Sequence, residues 1–143
     1  MSDILFRGKA TNRDPNIEYR TNYKNGDWVY GLLIDFGFYM GCAKMTNIDG
    51  VSGIDVDRNT IGQNTGLTDK NGKEMFEGDI ISGAVTWLER RKLGIVDFRN
   101  GSFGLVWHRG KTEHFVPFTS MCNVEYEIVG NIHDNPDMIG NEI

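Results

Sequence analysis

The stretch Asn59-Thr60-Ile61-Gly62-Gln63-Asn64-Thr65-Gly66-Leu67-Thr68-Asp69-Lys70-Asn71-Gly72-Lys73-Glu74-Met75-Phe76-Glu77-Gly78-Asp79-Ile80-Ile81 decides the fold. Turn formers stand at Gly62, Gly66, Asn71-Gly72 and Gly78-Asp79, and an apolar strand starts at Ile80-Ile81. Glycine takes positive φ without steric cost, and Asn or Asp side chains bond to nearby backbone, so such residues bend a chain between strands. Gly78-Asp79 reads as the entry to a strand, with an Asx-type hydrogen bond from Asp79. The segment therefore specifies architecture.

Two chemical alternatives lie in or next to this stretch, and both lack parts. A phosphate-binding loop needs Gly, four residues, then Gly-Lys-Ser/Thr, so that amides cradle phosphate and a hydroxyl holds magnesium. Here five residues separate Gly66 from Gly72, and Glu74 stands where the hydroxyl belongs. Asp55-x-Asp57-x-Asn59 has the oxygen spacing that opens a calcium loop, but Thr60 replaces its glycine and Gly66 its closing glutamate. A solvated or turn-capping role accounts for these carboxylates.

Outward from this segment, strand patterns dominate. The chain holds three Asn-Gly pairs, at residues 25–26, 71–72 and 100–101. Asn-Gly suits the type I′ hairpin, whose two central residues both take positive φ. Around Asn100-Gly101, Leu93, Ile95 and the alternating Asp97/Arg99 suggest a strand with one face in and one out, and Phe103, Leu105 and Trp107 suggest the same on the return. Further strands are expected over residues 80–88, 114–118 and 124–133, with a β-rich run from Trp28 to Met40 bent at Gly37. Residues 4–7 read as a short edge strand, residues 11–24 as a loop, and residues 134–141 as a turn and loose tail.

Composition bounds the function. The 143 residues suit one domain or two small subdomains, and 18 glycines against 3 prolines favour tight turns over a proline-rich disordered chain. A net charge of −5 provides no general attraction to nucleic acid or anionic lipid. Cys42 and Cys122 stand far apart with no ligand spacing, and read as small buried hydrophobes in a reducing compartment. The N-terminus lacks the basic segment and apolar run of a secretory signal, and no apolar stretch is long enough for a membrane helix. The cytoplasm is the expected location.

The order Phe6-Arg7-Gly8-Lys9, Gly26-Asp27-Trp28-Val29-Tyr30-Gly31 and the Thr60–Ile81 block resembles the YopX family. So do Gly94-x-Val96-x-Phe98 with Gly101-Ser102-Phe103, and the closing Ile128-Val129-Gly130-Asn131-Ile132-His133-Asp134-Asn135-Pro136. The resemblance runs over almost the whole chain. It implies a phage or prophage protein, mostly β, with a small barrel in its second half, and it brings no agreed activity and no site residues. The expected organisation is a single domain over 1–143. A β subdomain over 1–62 packs on a small SH3-like barrel over 74–133.

No catalytic constellation emerges. His108, His114 and His133 have no ligand spacing and no neighbouring cysteine. Ser102 follows a hairpin turn, where no nucleophile elbow is signalled. No cofactor, metal or catalytic residue is expected. The remaining signal is basic and aromatic: Trp87 with Arg90, Arg91 and Lys92 in one loop, Arg109 and Lys111 at another. In a small barrel such loops can gather into a patch that meets phosphate or a protein partner. Three functions stay open: a non-catalytic accessory protein acting through protein contacts or self-association, a nucleic-acid-binding module, and an enzyme with an unrecognised site.

Overall fold

The computed structural model describes residues 5–11, 23–35, 42–83, 93–118 and 125–140. Within them the chain is mostly β, with eleven strands in two antiparallel sheets, one 3-10 turn and a single helical turn. It divides into two compact units, Met1–Asn64 and Thr65–Ile143.

The first unit holds β1 (Phe6–Lys9), β2 (Trp28–Asp35), β3 (Cys42–Asn47), β4 (Ile54–Asp57), a 3-10 turn (Arg58–Thr60) and the start of β5 (Gly62–Thr68). Its sheet order is β4-β3-β2-β1-β5. The expected edge strand is thus an interior one: β1 pairs with β2 on one side, Lys9 opposite Trp28, and with β5 on the other, Arg7 opposite Gly62. Residues 62–68, full of turn formers, are a strand as well. Glycine weakens a strand without forbidding one, and here Gly62 supplies backbone for pairing with Arg7.

The sheet curls back on itself. Ala10 bridges to Val56 and the Thr11 N–H donates to the Asp55 carbonyl at 3.0 Å, so β4 meets the end of β1. Ala10, Val29, Ala43, Met45, Ile54 and Val56 fill the inside of this curl. Alternation makes it possible, because every second residue of β2, β3 and β4 points inward. Gly8 lets β1 lie close: a Cβ there would stand 3.2 Å from Met45 Sδ and from Val56.

The second unit contains the rest of β5, β6 (Glu74–Phe76), β7 (Asp79–Gly83), β8 (Leu93–Arg99), β9 (Ser102–Arg109), β10 (Thr112–Pro117), β11 (Tyr126–Asn131) and a helical turn, α1 (Asp137–Gly140). β6 pairs with β5 and so ends the first sheet, and the other five strands form a sheet in the order β10-β9-β8-β7-β11. Among the described residues this sheet is open, with β10 and β11 as its edges, so the expectation of an SH3-like barrel goes further than these pairings. Its core is Met75, Ile81, Val96, Leu105, Trp107 and Phe118, with Phe103, Val116, Tyr126 and Ile128 against it.

The Asn100-Gly101 hairpin forms as expected, with Arg99 opposite Ser102 and Phe98 opposite Phe103. Asn100 takes φ 53° and Gly101 φ 79°, the double positive φ of a type I′ turn. The other two Asn-Gly pairs differ. At each only the glycine is left-handed, Gly26 at 93° and Gly72 at 80°. The Asp27 N–H reaches the Lys24 carbonyl at 3.0 Å and the Gly72 N–H the Asp69 carbonyl at 3.0 Å, so each pair closes a four-residue turn of another type. We expect Asn100→Ala to lose about 1 kcal/mol through its left-handed backbone. Asn71→Ala should lose less on that account, and urea denaturation of both variants checks the difference.

The loose tail is also corrected. The Asn131 side-chain oxygen accepts from the N–H groups of His133 and Asp134, and the Asn135 N–H donates to the Asn131 carbonyl at 2.8 Å. The chain then folds against β11 at Gly130, where a Cβ would meet Asn135 Oδ1 at 2.6 Å. Short-range bonds of Asn, which compete with regular structure, hold this end in place.

Candidate functional site

The turn that superficially suggests a phosphate loop carries its own anion. The Asp69 carboxylate accepts from the N–H groups of Asn71 and Lys73, each at 2.9 Å, and from Ile128 at 3.2 Å. Asp69 is only 6% exposed. Burial works to raise its pKa, but the donors from Lys73, Ile128 and Asn71, with the Lys73 charge, hold the carboxyl below its ordinary value. The Lys70 N–H adds a bond to the Tyr126 carbonyl at 2.8 Å. The turn thereby caps β11, an edge strand that would otherwise present unpaired backbone. These amides are occupied from within the protein.

Asp79 acts alike. Its carboxylate accepts from the Phe76 N–H at 2.8 Å, three residues back along the chain, where an Asx turn would reach forward. Asp57 caps the 3-10 turn by accepting from the Asn59 N–H, and Asp55 pairs with Lys44 Nζ at 2.7 Å. That bond raises the Lys44 pKa. The Asp55/Asp57/Asn59 spacing is therefore strand alternation followed by a cap. Among the described residues no group of three or more His, Cys, Asp or Glu side chains could hold a metal ion.

The histidines do not converge. His114 lies opposite Trp107, with rings stacked 18° apart at 5.4 Å, whereas His108 lies opposite Glu113. Alternation puts these two pairs on opposite faces of the sheet. His108 joins a surface network: its Nε2 is 3.7 Å from Glu113, which takes two bonds from Arg99, and Arg99 also reaches Asp97 at 3.0 Å. The Arg99 bonds hold the Glu113 carboxyl below its usual range.

Of the basic and aromatic residues singled out from the sequence, Trp87, Arg90, Arg91 and Lys92 lie outside the described residues. Arg109 ends β9, and Lys111 is exposed in the next turn. Cys42 is half-buried and in no disulfide, less enclosed than expected, and Cys122 also lies outside the described residues.

One surface went unnoticed in the sequence. The outward face of β2 shows Tyr30, Leu32 and Ile34, exposed by 36%, 48% and 53%, and Leu5 beside them is 45% exposed. Isolated exposed apolar residues are ordinary, but a contiguous strip on a sheet face marks an interaction site. In sequence the run from Trp28 to Ile34 is apolar at nearly every position, which hides the fact that only alternate residues enter the core. At one end of the strip the Arg7 guanidinium lies 4.7 Å from the Trp28 ring centroid and Lys9 Nζ lies 5.5 Å from it. At the other, a bulge between Leu33 and Asp35 leaves Ile34 and Asp35 both exposed near Lys44.

A family model described as YopX protein matches residues 16–140. The chain belongs to the YopX family. Among solved structures, protein EF1440 from Enterococcus faecalis is similar to this YopX-family chain, with a TM-score of 0.54 and 22% identity over 94% of this chain and 96% of the other. At that identity the likeness shows a shared fold. No curated protein matches the chain. No helix among the described residues is long and apolar enough to cross a membrane.

Proposed function

We propose that this YopX-family chain is a phage or prophage accessory protein of the bacterial cytoplasm that works by binding protein, through the outward face of β2, and not by catalysis. The observation that carries this reading is the strip of Leu5, Tyr30, Leu32 and Ile34 held outward by strands whose other face is core. A rigid sheet presents these side chains with little ordering cost, and apolar surface removed from water is the main source of association energy.

Leu32→Glu tests it, since Leu32 faces outward and its replacement leaves the core intact. Tagged wild-type protein and the variant are used to capture proteins from host lysate, with thermal unfolding as the folding control. We expect bound proteins to be lost at least about tenfold on placing an unpaired carboxylate in an apolar contact. Equal capture by a folded variant would overturn the assignment of the face. The same preparations answer the nucleic-acid alternative. Binding to DNA that weakens steeply with salt and disappears when Arg90, Arg91 and Lys92 are neutralised would move the function to that loop.

A further inference from the structure

We infer that the outward face of β2 receives a second copy of this chain, strip against strip, in a two-fold arrangement that runs the two β2 strands antiparallel. This rests on the reading above that the face binds protein, and it names the partner. The argument is the charge polarity of the strip. Lys9 stands opposite Trp28 at its beginning, and Asp35 closes it at the other end, about 23 Å away at roughly 3.3 Å per residue. A two-fold axis lying between two such faces, perpendicular to β2 and level with Gly31 and Leu32, reverses one strip over the other. Lys9 of each copy then lies over Asp35 of its partner, and Tyr30 falls level with Leu33, between the outward side chains of Leu32 and Ile34. An isologous contact requires this self-complementarity, in which a patch carries its own opposite. Charge pairs at the rim of an apolar contact set register and suppress wrong partners. Packed sheet faces stand about 10 Å apart, close enough for the strips to interdigitate. The face is small against the roughly 800 Å² per partner of a standard interface, so the association is weak and concentration-dependent.

Charge reversal tests the pairing. In Lys9→Glu, both contacts of the dimer set carboxylate against carboxylate. In Asp35→Lys, both set ammonium against ammonium. A one-to-one mixture of the two variants restores two attractive contacts in every mixed dimer. Sedimentation equilibrium over a range of concentrations should show wild-type dimer, each variant alone at least about tenfold weaker, and recovery in the mixture. Leu32→Glu should abolish association without restoration by mixing. A wild-type chain that stays monomeric at every concentration, or a mixture that fails to recover, overturns the two-fold pairing. The protein-binding reading would then stand or fall separately, on whether Leu32→Glu still removes captured host proteins.

Discussion

Asp69→Ala should cost about 3–5 kcal/mol of stability. The carboxylate accepts from three backbone N–H groups, two in its own turn and one in β11. Each buried donor left without a partner costs about 1–3 kcal/mol, and bonds to a charged acceptor are at the strong end. Asp69→Asn should cost roughly half as much, because its single carbonyl oxygen can still serve the Asn71 and Lys73 donors but not all three. Guanidinium unfolding of both variants provides the comparison, and equal midpoints for Asp69→Ala and wild type would refute the capping role.

The same residue predicts a pH dependence. The folded pKa of Asp69 is depressed, so its contribution is complete above the unfolded value of about 3.9 and is lost as pH falls through the folded value. The wild-type stability curve should therefore drop on the acid side of about pH 4. Asp69→Asn, with nothing to protonate, should show a flatter acid limb in urea titrations between about pH 2 and pH 6.

Gly31→Ala carries the second large effect. Gly31 lies in the middle of β2, between Phe6 on β1 and Asn47 on β3. A Cβ there would be driven into the Thr46 carbonyl oxygen and stand 2.9 Å from Asn47 Cα. Backbone in a paired strand cannot swing aside as a side-chain tip can, so β2 and β3 would have to separate. We expect a loss of about 3 kcal/mol or failure to fold. Gly94→Ala is the control: its Cβ would meet the Leu105 side chain first, at 3.2–3.4 Å, and a shift of that residue by a few tenths of an ångström should hold the loss to about 1 kcal/mol. Thermal unfolding of the two variants under one condition separates backbone collision from ordinary crowding.

What could be read from sequence was what is decided locally. The hairpin of β8 and β9 is legible because Asn100-Gly101 sets the turn, but the inward face of β8 is not: Val96, opposite Leu105, enters the core, while Leu93 and Ile95 share the other face with Asp97 and Arg99. The turn reading holds for Asp69 to Lys73, where Asp69 supplies the acceptor within four residues, and fails for Gly66 to Thr68, which lie in β5. What was illegible depends on partners far along the chain. Nothing near Asp69 announces Ile128, which lies 59 residues on. The curl of the first sheet hangs on the bridge between Ala10 and Val56, and neither residue has a local signature for it. β5 was hidden because its glycines and asparagines look like turns until β1 pairs with them. The strip on β2 was hidden by the opposite fault: an apolar run on both faces of a strand looks like core throughout. Membership of the YopX family was legible because it rests on residue order along the chain.

The place of β7 has a consequence for biosynthesis. β7 lies between β8 and β11, so one of its flanks is filled by a strand that leaves the ribosome only after β8, β9 and β10. The first unit meets no such delay, since Gly62 and Gln63, the β5 residues that pair with β1, emerge soon after β4. While the nascent chain is short of Asn131, Ile80 and Ile81 present a long-lived open flank to the chaperones waiting at the exit tunnel. Arrested chains should gain protease resistance in two steps, the second only after Asn131 is clear.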